Sequence, residues 1–201
     1  MGGTREPIEY LVTLCIGSTS ARASPRLKST NMPAPCSLPS DALLNAHRLR
    51  GAFTDCYAKS IDGSVSLDEF VFAFYTTPLF KLERWPLARV LGFASSDVQA
   101  LQLARAEVEQ FSAWTVEARS AGQILLAAGA TRSWLSVEVQ LSPPSTTCLR
   151  FGSAVLPTRP GGKLGWGFHA LLGFHRLYSR LLLAAACRRV RALRRVRQLA
   201  S

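Results

Sequence analysis

Several things are scarce or missing in this 201-residue chain, and each absence removes a class of function. Acid is scarce, with 13 Asp and Glu against 24 Lys and Arg and a formal net charge of +11. There is no Cys-x-x-Cys, no His-Glu-x-x-His and no cluster of Cys with His, so a zinc site has no support. No Gly-x-Gly-x-x-Gly or Walker loop is present, which argues against a nucleotide-phosphate cradle, and no cofactor is expected. The cysteines (Cys15, Cys36, Cys56, Cys148 and Cys187) make neither a dense disulfide framework nor a ligand set. Reduced, inert thiols in a cytoplasmic protein are the expectation. Long apolar runs free of charge are also missing. Residues 10–17 are apolar but short and follow two glutamates, unlike a secretory signal. Residues 165–187 have nearly the length of a membrane span but hold His169, His175, Arg176 and Arg180. An arginine near the middle costs about 2.5–3.5 kcal/mol on insertion, so a soluble helix is expected there.

What is present divides the chain. Residues 18–40 are rich in Ser, Pro and Arg with almost no acids, and 1–40 read as a disordered extension of which 1–31 is dispensable. Residues 41–187 read as one α+β domain, and 188–201 as a basic helical tail. Residues 1–31 carry +2 and Arg188 to Arg197 carry +6, which leaves +3 for everything else.

Within the domain, 41–49 has helical spacing and 53–61 alternates as a strand does. Asp62-Gly63 marks a turn. Ser66 with Glu69 forms a capping box that opens a helix over 67–76, which Pro78 should break. A further helix is expected over 79–91, kinked at Pro86 and ended by Gly92. Ser96 caps another over 97–111, with Val98, Leu101, Ala104 and Val108 on its inner face. The period then changes from 3.6 to 2, giving strands at 113–119, 123–128, 131–140 and 146–156. Their short connections make an antiparallel meander of about five strands in all. On the third of these, Leu135, Val137 and Val139 face one way and Trp134, Ser136 and Glu138 the other. A half-apolar sheet needs a cover. The long C-terminal helix, 164 to about 199, supplies it through Phe168, Leu171, Leu172, His175, Tyr178, Leu182 and Ala186.

The strings FYTTPLFKLER (74–84), TRSWLSVE (131–138), LRFGSAV (149–155) and LLGFHRLYSRLLL (171–183) resemble those of uncharacterised bacterial proteins, the family of domain of unknown function 2867. The resemblance covers about residues 52–186 and implies the domain boundaries but no activity. The order of elements also resembles, in architecture alone, the helix-grip arrangement of the START and polyketide-cyclase-like proteins, which leaves a cavity between sheet and helix.

Three sets of residues are candidates for function. The leading one is a ligand-binding wall between sheet and helix, formed by Phe70, Phe74, Leu79, Trp134, Phe151, Phe168, Leu172 and Tyr178. It suits a small apolar or amphipathic molecule. Arg132 and Arg150 on neighbouring strands either hold the carboxylate or phosphate of such a ligand or pair with Glu117, Glu138 or Glu83, the second being commoner. The next set is catalytic. His175, Tyr178 and Ser179 share a helix face, with Glu117 or Glu83 to orient the imidazole, as a cyclase, isomerase or hydrolase would need; packing residues with satisfied polar tips look the same. The last is the arginine-rich tail, Arg188, Arg189, Arg191, Arg194, Arg195 and Arg197, which suits an anionic membrane surface or a partner protein, with specific nucleic-acid binding not expected. Gly152 reads as a bulge or a close approach of the helix, and 161–165 as a flexible linker.

Overall fold

Five long alternating segments fold into one antiparallel sheet, with a two-residue strand on each edge. The structure, a computed structural model, describes residues 32–82, 95–141, 143–156 and 166–200, with backbone alone for 166–173. The strands are β1 (Ala34–Pro35), β2 (Phe53–Asp62), β3 (Gln110–Phe111), β4 (Trp114–Ser120), β5 (Gln123–Ala128), β6 (Thr131–Gln140) and β7 (Thr146–Val155). Their order is β1-β2-β7-β6-β5-β4-β3, every pairing antiparallel. The α+β class and the meander of β4 to β7 are as the periodicity predicts. The short edge strands raise the strand count from about five to seven.

The helices are α1 (Asn45–Leu49), α2 (Leu67–Tyr75), α3 (Asp97–Ala104) and α4 (Trp166–Ala200). Ser66 accepts from the Glu69 backbone N–H while the Glu69 side chain accepts from Ser66 N, the reciprocal pair that satisfies two orphan donors of α2. After α2 ends, Thr77 Oγ1 accepts from Phe80 N at 3.1 Å and residues 78–82 turn helical again, with Pro78 at the first helical position, where its missing N–H costs nothing. The helix expected over 79–91 otherwise falls outside the described residues, as do Pro86 and Gly92. α3 is shorter than expected. It ends at Ala104 because Ala106 takes φ 60°, and the chain turns into β3. Its inner face is Ala100, Leu103 and Ala104, one step round from the predicted stripe; Val98 is 66% exposed.

Both faces of the sheet are covered. On the front lie α2, α3 and α4, and the main core contains Phe70, Phe74, Tyr75, Phe80, Phe111, Leu135, Leu149, Phe151, Leu183 and Val190. Rings fill it: Phe74 lies 5.0 Å from Phe151, Tyr75 4.8 Å from Phe80, and Phe80 5.1 Å from Trp114. On the back, residues 36–44 pack Leu44 and Ala42 against Cys56, Leu125, Trp134 and Ala154. The boundary expected at residue 41 therefore moves forward, since residues 34–40 already contribute a strand and partly buried Cys36 and Leu38. Gly152 keeps regular register with Trp134 and is no bulge. A Cβ there would stand 3.0 Å from Trp134 Cε3 and 3.2 Å from Leu44 Cδ2, so the close approach comes from the back-face segment and not from the helix.

The basic tail is no separate unit. α4 runs unbroken through residue 188, and Val190, 1% exposed, belongs to the core. Arg194 and Arg197 reach Glu69 of α2.

Candidate functional site

His175 on α4 finds its partners on the front face of β2 and β7, where Asp55 and Ser153 are directly paired. Its Nε2 lies 2.8 Å from Ser153 Oγ and 3.4 Å from Asp55 Oδ2. Ser153 donates to Asp55 Oδ1 twice, from Oγ at 2.7 Å and from its backbone N–H at 3.2 Å. Burial opposes ionisation of Asp55, yet hydrogen bonds from His175 and Ser153, with the imidazole's charge, more than offset it and hold the carboxyl below its ordinary 3.8. Beside it Tyr57 is pushed up to about 12, first by burial and then by the charge of Asp55.

Three residues of the types used by serine hydrolases thus meet, but in the wrong order. The Ser153 hydroxyl already donates to Asp55, and the same His175 nitrogen, Nε2, faces both Ser153 Oγ and Asp55 Oδ2, so the carboxylate does not orient the ring through its other nitrogen. A nucleophile needs a base with a free lone pair, itself oriented by the carboxylate through its other nitrogen. What the cluster does is fasten α4 to the sheet. Arg180 adds a second tie, donating from Nε to the Pro33 carbonyl at 3.0 Å.

The expected partners of His175 lie elsewhere. Glu117 sits in a bulge of β4 between Val116 and Ala118, on the back face, where Oε1 is 2.6 Å from His47 Nε2 and Oε2 pairs with Arg132. It is on the opposite side of the sheet from His175 and cannot orient it. Glu83 lies outside the described residues. Ser179 is buried, and Tyr178 stacks on Phe174 with ring centroids 6.1 Å apart.

The ligand wall is dispersed likewise. Arg132 and Arg150 also face the back; Arg132 is held by Glu117, and Arg150 Nη2 lies 2.5 Å from Glu138 Oε2. Pairing with protein carboxylates is the reading the geometry favours over a ligand anion. Trp134 is buried on the back face, its indole N–H donating to Gln123 Oε1 at 2.8 Å, so it shares no wall with Tyr178. Phe70, Phe74 and Phe151 occupy the space between sheet and helices by packing on one another. The side chains of Phe168 and Leu172, and residues 161–165, are outside the described residues. Leu79 and Tyr178 do come together, with Leu82 and Phe174, around an apolar groove of about 310 Å³ on the surface.

The arginines of the C-terminal stretch differ in exposure. Arg188, Arg191 and Arg195 are exposed, while Arg194 and Arg197 are engaged by Glu69. Among the described residues no helix is long and apolar enough to cross a membrane, and no group of His, Cys, Asp and Glu could hold a metal ion. Asp55 and Ser153 were missed by sequence reasoning, although a signal exists: both stand in register with the apolar face of their strands, beside Tyr57 and Phe151. Compared with family models, curated proteins and solved structures, the chain matches none.

Proposed function

We propose that this protein is a non-catalytic binding protein of the cytoplasm that lies on an anionic lipid surface through the outward face of α4. One observation carries the reading. Phe174, Leu181, Arg188 and Arg195 recur every seven residues, so they share one stripe of the helix, and all are exposed. Phe174 is 68% exposed, and Leu177, 52% exposed, lies beside it. α4 contains no acidic residue. An apolar stripe that passes into arginines suits a helix lying in the headgroup region and not one crossing the bilayer. The inner leaflet attracts such a helix with about 1 kcal/mol per arginine near the surface.

The small apolar or amphipathic ligand belongs in this reading at the groove of Leu79, Leu82, Phe174 and Tyr178, where part of an acyl chain could lodge, instead of between sheet and helix. Kinship with the bacterial family, inferred from its strings of residues, adds no activity. The placement of Asp55 and Ser153 at the same nitrogen of His175 weighs against a hydrolase.

Co-sedimentation of the full chain with vesicles tests the proposal. Binding is expected to phosphatidylglycerol–phosphatidylcholine vesicles and not to phosphatidylcholine alone. Replacing Arg188 and Arg195 by Gln should lower partitioning roughly 30-fold, the equivalent of about 2 kcal/mol. Equal pelleting with both vesicle types, or no loss in the double variant, would overturn it.

A further inference from the structure

Cysteines with no dense framework read as inert thiols, yet two of them, 20 residues apart, meet at the sheet edge. Cys36 follows directly on β1, whose register sets Ala34 against Ala58 and Pro35 against Tyr57, and so puts Cys36 opposite Cys56. The Cys36 backbone N–H donates to the Cys56 carbonyl at 3.0 Å, and the two Sγ atoms are 2.9 Å apart. Cys36 is partly exposed and Cys56 buried. Both line an open cleft of about 260 Å³ together with Ser37 and Arg48. Cys148 and Cys187 are buried, and neither has a sulfur partner among the described residues. The pair is therefore asymmetric, Cys36 partly exposed and Cys56 buried, which is the arrangement of an attacking and a resolving thiol.

We propose that Cys36 and Cys56 form a reversible oxidation site that exchanges with low-molecular-weight disulfides. The Cys36 thiolate attacks one sulfur of the small disulfide; that S–S bond breaks, and the first small thiolate leaves and takes a proton from water. The mixed disulfide on Cys36 is then attacked by Cys56, whose proton goes to water, and the second small thiol is released. Two protein thiols are oxidised and one small disulfide is reduced to two thiols. Electrostatics agree with this division of labour: the hydrogen bond from Cys56, against the opposing effect of burial and with help from the nearby Arg150 charge, lowers the pKa of Cys36, while that same bond and burial raise that of Cys56. Once Cys36 is capped, the bond that holds the proton on Cys56 is gone. The product fastens the segment covering Trp134 to β2.

The full chain is incubated folded with oxidised glutathione, quenched in acid, alkylated and mapped by mass spectrometry. The expected result is loss of two alkylatable thiols and a linked pair of peptides containing Cys36 and Cys56. With Cys56→Ser the reaction should stop at a glutathione adduct on Cys36, and in Cys36→Ser the modification of Cys56 should slow by about tenfold or more. The wild-type map depends on no variant folding. Cys36 reacting no faster than Cys148 and Cys187, or joining a cysteine other than Cys56, would overturn the proposal.

Discussion

The two faces of the sheet are buried by different means. The front is covered by three helices and filled with interlocking rings from Phe70, Phe74, Tyr75, Phe80, Phe111 and Phe151. The back is covered by a stretch of 36–44 and one short helix, and it depends on a single large ring, Trp134, set against Gly152 and Leu44. Its margins are polar: Gln123 holds Trp134 and the backbone N–H of Leu43, and Glu117 holds His47 and Arg132. A front built on area should tolerate loss of any one hydrogen bond but not of a ring. A back built on fit should be sensitive to one added methyl.

The sharpest test of that contrast is Phe74→Ala. Removing a ring in contact with four other aromatics should cost about 3–5 kcal/mol, read as a lower urea midpoint at unchanged slope. Gly152→Ala should come next, at about 1–3 kcal/mol, because its Cβ would meet the Asp55 carbonyl and Trp134 at 3.0 Å and neither is a flexible chain end. If Gly152→Ala were harmless, the back face would be looser than its geometry states.

Asp55→Asn should follow, at about 1–3 kcal/mol, since it weakens the hydrogen bonds from Ser153 and the contact with His175 that joins α4 to the sheet. Its signature is in pH. The folded carboxyl titrates below 3.8, so it contributes stability above about pH 4, and that contribution fades as pH falls through the folded value. Thermal melts between pH 6 and pH 3 should therefore fall less steeply in Asp55→Asn than in the wild type; parallel curves would remove Asp55 from the latch. The smallest effect belongs to Arg197→Gln. This side chain is 70% exposed in its pair with Glu69, and the change should fall within about 0.5 kcal/mol by urea unfolding.

Local signals were enough for much of the fold. β5 and β6 begin and end where the period-2 pattern and its flanking glycines place them, and the caps at Ser66 and Ser96 form as their spacing requires. The inner stripe of α3 was misjudged, because the helix stops at Ala104 and a short helix turns toward whatever neighbour its ends permit. The candidate site was far less legible. His175 could be named from its helix, but Ser153 lies 22 residues earlier and Asp55 98 residues before that. The arginine pairs were foreseeable as types of interaction, though not the bulge that turns Glu117 toward Arg132.

The sequence by itself determined the α+β class, the antiparallel order of the meander and the amphipathic C-terminal helix, since each follows from periodicity, capping and loop length over a few residues. Only the tertiary structure decided what lies against each face of the sheet. It set Trp134 apart from Phe151, joined Cys36 to Cys56, and seated Val190 of the arginine-rich stretch in the core. Hydrogen bonds and ring contacts between distant segments exist only after the sheet has closed, and no local spacing encodes their partners.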